Sequence, residues 1–292
     1  MGMYPTKPKT GEITADDVWQ FLHQPMMLAR RAADMTSDQF FADQLLTETY
    51  PADTVAWQEE DPRTSPDDVE MVEPGSEYPL MRTSEGAAQS TGSKNWGGDS
   101  LVTFESIREG GMAPVNSALS QIVNKLRLTL DGICVSAALT AITESFTVTE
   151  PWTTAVSIVD GAMAARDAMD AKKYGYNYSR VAVPLSALRK LQIGLWKESS
   201  LQLPLASDRT FSIGGLTFYA SELVTTPMLY DAANFGGMTA PPGDRTYTMY
   251  PGSNVEVRTW DHLENDTVRI RARRRTAPIV RAPLAAVKIM GI

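Results

Sequence analysis

The chain has few of the side chains that metal proteins and disulfide-bonded proteins need. Its 292 residues include one cysteine, Cys134, and two histidines, His23 and His262. One cysteine cannot form a disulfide within the chain, and it cannot complete a structural zinc site with two distant histidines. We therefore expect no metal, no cofactor and synthesis in a reducing compartment.

Nucleotide-binding and secretion signals are missing as well. The sequence has no GxxxxGK[ST] loop, and no GxGxxG follows a predicted strand. No run of 18 apolar residues occurs, and the first ten residues lack the apolar stretch of a signal peptide. These absences predict a soluble protein, made in the cytoplasm, without membrane contact.

One catalytic motif is present in outline, in the sequence Gly-Asp-Ser-Leu that ends at Leu101. It imitates the nucleophile block of an esterase family whose C-terminal histidine follows an aspartate by three residues. Here the residue three before His262 is Thr259, so the match fails. We expect the protein not to be an enzyme, and a serine hydrolase that uses Ser100 is the alternative.

Charge is divided unevenly along the chain, although the net charge is only -8. Residues 38–87 contain thirteen carboxylates and two basic residues, whereas residues 268–292 contain seven basic residues and no acid. Complementary regions of this kind favour copies that meet acidic surface to basic surface. Two separately solvated faces are one alternative, and contact of the arginines with nucleic acid is another.

Hydrophobic periodicity predicts most of the elements. Apolar residues at steps of three and four indicate a long helix over residues 114–144 with Pro114 in its first turn. Further helices are predicted at residues 14–25, 26–34, 154–171 and after Pro184, with a short amphipathic segment within residues 38–50. Strands are predicted before Pro184 and at residues 213–221. Residues 236–243 are predicted to form a surface loop, and residues 246–289 the antiparallel strands of one sheet.

Residues 69–107 are the most informative segment. They are rich in Pro, Gly, Ser, Thr and carboxylates, and their scattered apolar residues predict two long strands around an irregular tip at residues 74–92. The same composition extends back to residue 53, and a structureless loop of about 50 residues is improbable inside a compact domain. We therefore expect this arm to pack on another copy of the chain, which indicates a shell-building protein.

Three stretches of the chain, taken in order, resemble motifs of one family: an acidic stretch in an extended loop, a turn before a spine helix, and C-terminal strands. The matching residues are Glu73, Gly75, Glu77, Pro79, Lys94, Gly97, Gly98, Arg275, Pro283, Ala285 and Ala286. The chain resembles the major capsid proteins of tailed double-stranded DNA bacteriophages, which have the Hong Kong 97-type fold.

The resemblance implies an α+β, Hong Kong 97-like capsid fold with an extended β-hairpin loop and a long spine helix. It places an N-terminal arm at residues 1–53 and the extended loop at 54–104. The peripheral domain comprises 105–149 and 245–282, and the axial domain comprises 150–244 and 283–292. Such proteins form hexamers and pentamers that close into an icosahedral shell around packaged DNA. A shell of the encapsulin type, a cellular nanocompartment, is the alternative.

The resemblance also implies partners and contact residues. The partners are other copies of the chain, a portal protein, separate scaffolding and decoration proteins, and DNA that is contacted non-specifically if at all. The location is the virion capsid, assembled in the host cytoplasm. The expected contacts between copies lie on the loop and on an arginine-rich strand: Glu70, Glu73, Glu77, Arg82, Lys94, Trp96, Arg271, Arg273 and Arg275.

Overall fold

The structure is a computed structural model that describes residues 15–36, 40–60, 62–64, 69, 71–81, 86–198 and 209–292. The first 14 residues of the predicted N-terminal arm, 1–53, lie outside these ranges. The helices in the described part are α1 (Ala15–Leu22), α2 (Pro25–Thr36), α3 (Phe41–Leu45), α4 (Phe104–Gly110), α5 (Met112–Ala141), α6 (Ala155–Ala171) and α7 (Leu185–Glu198).

The strands in the described part, given in chain order, are β1 (Glu48–Tyr50), β2 (Thr54–Gln58), β3 (Ala88–Gly92), β4 (Lys94–Thr103), β5 (Glu144–Thr147), β6 (Arg180–Pro184), β7 (Thr210–Ile213), β8 (Leu216–Ser221), β9 (Met228–Tyr230), β10 (Gly236–Thr239), β11 (Thr248–Met249), β12 (Glu256–His262), β13 (Thr267–Thr276), β14 (Pro278–Val280) and β15 (Ala286–Met290).

The long predicted helix is confirmed as α5, and its 30 residues extend about 45 Å. Pro114 stands in its first turn, where its missing N–H costs no hydrogen bond. The helix predicted at residues 154–171 is confirmed as α6. Thr154 caps it, because its hydroxyl accepts from the Ser157 N–H while the Ser157 hydroxyl accepts from the Thr154 N–H.

Helix α5 passes through two hydrophobic cores. Its first part, from Val115 to Leu130, packs in a core shared with α1, α2, β4, β12 and β13. Its last part, from Cys134 onward, packs in a second core shared with α3, α6, α7 and the strands around Tyr230. The N-terminal helices α1 and α2 therefore bury their apolar sides against their own chain.

The described strands form four sheets. Their strand orders are β11-β12-β13-β4, β5-β15-β9-β6-β8-β7, β1-β10-β14 and β2-β3. The prediction of one antiparallel sheet over residues 246–289 is wrong, because these strands belong to three sheets and β15 pairs in parallel with β5. Alternation in sequence shows which side chains share a face, but it does not show which strand lies alongside.

The predicted surface loop at residues 236–243 is also wrong in its first half. Strand β10 is fully buried and lies between β1 and β14. A Cβ on Gly236 would lie 2.1 Å from the Ile279 carbonyl oxygen, and one on Gly237 would lie 2.3 Å from the Glu48 carbonyl oxygen. Here the glycines allow two backbones to approach closely, a role that the sequence does not distinguish from that of a turn.

The extended loop differs from the predicted pair of long strands. Strands β2 and β3 pair with each other, and β4 pairs in antiparallel register with β13 of the same chain from Lys94 to Thr103. The expectation that the whole arm packs on another copy is therefore wrong for β4. Described residues 71–81 form no strand and lie outside every sheet.

Candidate assembly surfaces

The first surface is the loop tip, which we define as residues 71–81. Three of its large apolar side chains are mostly exposed: Met71 by 95%, Tyr78 by 80% and Leu80 by 94%. A turn at Gly75, with φ of 95°, is closed by the Ser76 N–H, which donates to the Glu73 carbonyl at 3.0 Å. The tip thus presents apolar groups that its own chain does not cover.

The base of the loop is fixed to the subunit. The Glu60 N–H donates to the Arg281 carbonyl at 2.8 Å, and the Arg63 N–H donates to the Tyr174 carbonyl at 2.9 Å. On the return side the Ser93 hydroxyl lies 3.1 Å from the Thr239 hydroxyl. The loop therefore leaves and rejoins the body at defined points.

The second surface lies on the outer face of the sheet β11-β12-β13-β4. We call it the arginine ladder, and its members are Arg258, Arg269, Arg271, Arg273 and Arg275. Residues alternate along β13, so Arg274 is buried while its neighbours Arg273 and Arg275 are partly exposed. Arg271 holds Asp99 through Nε at 2.5 Å and Nη2 at 2.7 Å, and Arg269 pairs with the same carboxylate. These contacts lower the pKa of Asp99, chiefly through the hydrogen bond from Arg271.

Aromatic rings complete the ladder. The guanidinium carbons of Arg258, Arg269 and Arg271 lie 5.1 to 5.5 Å from the centroid of the Trp260 ring. Arg273 pairs with Glu256 at 2.7 Å and with Asp244 at 3.0 Å. Carboxylates of the same subunit thus pair with Arg269, Arg271 and Arg273, with Asp99 shared by the first two, and the Trp260 ring stacks with this group.

The acidic segment and the basic C-terminal segment meet within a single chain. Arg281 pairs with Glu48 at 3.1 Å and with Glu60 at 2.8 Å, and Arg274 pairs with Asp43 at 2.5 Å. Pairing that was expected between copies is therefore found inside one subunit. Local charge runs do not show whether their partners belong to the same chain.

The predicted contact residues are divided among these surfaces. Glu73 and Glu77 are exposed on the loop tip, and Lys94 is exposed at the start of β4. Trp96 is half-buried, and its Nε1 donates to the Thr276 carbonyl at 3.1 Å. Glu70 and Arg82 lie outside the described residues. Arg271, Arg273 and Arg275 lie in the ladder, with Arg275 near Asp53 and Glu256. Their contacts between copies stay a prediction.

Comparison with known proteins decides the family. The model of a family described as phage capsid protein matches residues 89–289, which is well over half of the chain. The chain belongs to the phage capsid protein family. Together with the fold, this identifies a bacteriophage major capsid protein of the Hong Kong 97 type. No curated protein sequence matches the chain.

Solved structures of capsids and of a virus-like particle have a similar fold to this capsid protein. A virus-like particle from Pyrococcus furiosus matches with a TM-score of 0.57 at 10% identity, covering 90% of this chain and 97% of that chain. The capsid of cyanophage P-SCSP1u matches with a TM-score of 0.55 at 9% identity, covering 86% of this chain and 87% of that chain. The mature capsid of bacteriophage PhiM1 matches with a TM-score of 0.53 at 9% identity, covering 87% of this chain and 88% of that chain.

A buried polar group joins the N-terminal segment of the capsid protein to the spine helix α5. One oxygen of Asp131 accepts from the Ala42 N–H at 2.9 Å, at the start of α3. Burial raises the pKa of Asp131 to about 6. Nearby, Arg274 is buried against the Phe40 ring and holds Asp43. Sequence reasoning missed Asp131, although a lone aspartate in a long apolar helix is itself a signal.

The position of Ser100 does not support the alternative of a serine hydrolase. Ser100 stands in the middle of β4, in register with Ile270, and not on the sharp strand-to-helix turn that exposes a serine nucleophile. No group of three or more His, Cys, Asp and Glu residues in the described ranges could hold a metal ion. The described helices include none with the length and hydropathy of a membrane span.

A groove follows the outer side of the spine helix. A cleft of about 310 Å³ lies between β4 and α5, and its walls include Trp96, Ser100 and Gln121. An open depression of about 590 Å³ continues along α5 past Leu128 and Ile133. Lys125 and Thr129 line both, so the two form one groove.

Proposed function

We propose that this capsid protein assembles into hexamers and pentamers that close into an icosahedral shell around packaged phage double-stranded DNA. The family match supports a structural role in the capsid. The finer statement depends on one observation, the loop tip, whose apolar side chains find no cover in their own subunit. Such a surface is stabilised when a partner covers it, and in a shell every subunit has neighbouring copies that can do so.

The energy available at the loop tip is large enough to matter. Burying a side chain such as Tyr78 or Leu80 contributes about 1.5 to 3 kcal/mol. Each copy offers several such groups and presents them to a neighbour around a rotation axis. A contact of this heterologous kind closes into a ring when the rotation closes. Hexamers and pentamers are rings of that type.

The domain assignment is part of the proposal. The peripheral domain, 105–149 and 245–282, contains most of the core around the first part of α5. The axial domain, 150–244 and 283–292, contains most of the second core. The N-terminal arm, 1–53, contributes α1 and α2 to the former and α3 to the latter. We assign the axial domain to the neighbourhood of the capsomer axis.

The remaining partners follow from the proposed shell. Assembly takes place in the cytoplasm of the bacterial host, with a portal protein at one vertex and separate scaffolding and decoration proteins. Packaged DNA is contacted non-specifically if at all, because carboxylates of the same subunit already pair with Arg269, Arg271 and Arg273. A nanocompartment shell of the encapsulin type is the second candidate, favoured only by the fold shared with the virus-like particle.

The test is to express the full chain and to image it by negative-stain electron microscopy over a range of concentrations. Capsomers and closed shells are expected. A protein that stays a monodisperse monomer when concentrated contradicts the proposal. Particles purified from infected cells separate the two candidates, because a phage shell co-purifies with DNA and a nanocompartment with a cargo protein.

A further inference from the structure

The two hydrophobic cores of the subunit meet at a junction that contains charged groups. Helix α5 leaves the first core after Leu130 and enters the second at Cys134, and Asp131 stands between them. Phe40 and Phe41 are neighbours in the sequence, yet Phe40 lies in the first core and Phe41 in the second. The N-terminal segment therefore crosses the junction beside the spine helix.

We call residues 40–50, which include α3 and β1, the latch. Its apolar side chains buried in the second core are those of Phe41, Ala42, Leu45 and Leu46. The Gln44 carbonyl accepts from Arg180 Nη1 and from the Tyr230 hydroxyl, each at 3.1 Å. Strand β1 pairs in parallel with β10 over three residues. The latch thus ties the junction to the strands of the second core.

The elements of the latch have little stability of their own. Helix α3 has five residues, which is too short for a helix to persist without packing. Strand β1 is at the edge of the sheet β1-β10-β14, so it can leave without breaking any other strand pair. Segments of this kind can open locally while the rest of a protein stays folded.

Asp131 lies under the latch. Its side chain is buried, and one oxygen accepts from the Ala42 N–H at 2.9 Å. The charged groups around the junction are Arg127 on α5, Asp43 on α3, and Arg274 on β13, which pairs with Asp43. Burial is the largest influence and raises the pKa of Asp131 to about 6, while the Ala42 N–H and Arg127 oppose the shift and Asp43 adds to it. The closed latch therefore disfavours the ionised carboxylate.

We propose that the latch is a pH-sensitive brace between the two cores, which opens as a unit and brings water to Asp131, so that ionisation of Asp131 favours the open form. The closed latch is favoured in acid, where Asp131 is protonated, and opening becomes easier as the pH rises toward neutrality. An open latch removes the link that Phe40 and Phe41 make between the cores. The inference goes beyond the proposed function and does not depend on it, because the latch and Asp131 belong to one subunit.

The one cysteine of the chain reports opening without any substitution. Cys134 is buried, lies one turn beyond Asp131 on the same side of α5, and is close to Asp43 and Arg274. A dithiodipyridine reagent is added to the full chain at pH values from 4 to 7. The labelling rate is divided by that of the urea-unfolded chain at the same pH, so the quotient measures how often the latch is open.

The quotient should rise about 50-fold between pH 4 and pH 7, because the pKa of Asp131 falls from about 6 to its ordinary value on opening. Asp131→Asn should abolish this rise, since the amide oxygen can still accept from Ala42 but does not titrate. The matched control is Asp160→Asn, which removes an exposed carboxylate from α6 and should keep the wild-type profile. A flat wild-type profile, or an equal rise in Asp131→Asn, overturns the inference.

The urea dependence of labelling separates latch opening from global unfolding and needs no variant. Opening of a short segment exposes little surface, so the wild-type rate should change little between 0 and about 1 M urea, whereas global unfolding depends steeply on urea. A slope equal to that of global unfolding overturns the inference. This measurement also decides the case in which Asp131→Asn does not fold.

Discussion

The loop tip and strand β4 lie close together in the sequence, yet they have opposite relations to the subunit. The loop tip leaves Met71, Tyr78 and Leu80 exposed. Strand β4 is paired along its whole length with β13, and its Asp99 is held by two arginines. Adjacent parts of one loop can therefore differ in whether they complete their own fold or leave surface for a neighbour. Strand β4 finds the edge of β13 in its own chain, whereas the loop tip pairs with none of the described strands.

The strongest way to break this comparison is to replace the loop tip, residues 71–81, by a Gly/Ser segment of the same length. We expect shells to be lost while the free energy of unfolding of the subunit changes by less than about 0.5 kcal/mol, as for other surface changes. Electron microscopy and chemical denaturation measure the two quantities. The control is Leu263→Ser, which removes another exposed apolar side chain, at the turn after β12. Intact shells from the replaced variant would contradict the role of the tip.

The second prediction concerns the stability of the subunit, to which Asp131 in the spine helix contributes far from the loop. The folded pKa of Asp131 is raised to about 6, above its unfolded value, so its contribution is present at low pH and lost as the pH rises. Relative to Asp131→Asn, the wild-type chain should lose about 2 kcal/mol of unfolding free energy between pH 4 and pH 6.5. Urea unfolding at several pH values measures this. Parallel pH profiles for the two proteins would show that Asp131 does not titrate in this range.

The third prediction concerns the fit of β4 against β13. A Cβ on Gly97 would lie 2.6 Å from the Ala272 carbonyl oxygen, so Gly97→Ala forces the strands apart. We expect a loss of about 2 kcal/mol, typical of overpacking. The matched control is Gly92→Ala, since a Cβ there has no neighbour closer than 3.9 Å. Equal denaturation midpoints for the two variants would count against the tight pairing.

The smallest effect is expected at the ladder. Asp99→Asn should cost less than about 1 kcal/mol, because the pairs with Arg269 and Arg271 are partly exposed. The pKa of Asp99 is lowered, so its stabilisation is present at neutral pH and is lost as the pH falls below its ordinary range. The difference between wild type and variant should also shrink in high salt. A difference that is unchanged by either pH or salt would mean that the carboxylate acts through packing.

The sequence predicted the long helices well, because each buries one side and repeats at 3.6 residues, but it missed the short helix α4 at the end of the predicted arm. It did not predict the sheets. Which strand lies beside β15 depends on residues more than 140 positions away in β5, and no local pattern encodes that pairing. The same limit explains why β10 was predicted as a loop. Its glycines leave room for the backbones of Glu48 and Ile279, which come from other parts of the chain.

The candidate surfaces were predictable in part. The unusual composition of the loop marked it as a contact segment, and Glu73 and Glu77 lie on its exposed tip. The partners of the arginines were not predictable. Asp244 and Glu256 come from outside the acidic segment, while Asp43 comes from inside it and from the same chain. Ion pairs form where the fold brings charges together, whatever their density along the sequence.

The spine helix α5 has a mechanical consequence. It is one continuous rod of about 45 Å whose two halves are clamped in different cores, and Asp131 stands where it passes from one to the other. A rod held in this way acts as a lever, because a tilt imposed on one core must be transmitted to the other. A neighbour that presses on one half of the helix therefore also reorients the other half of the subunit.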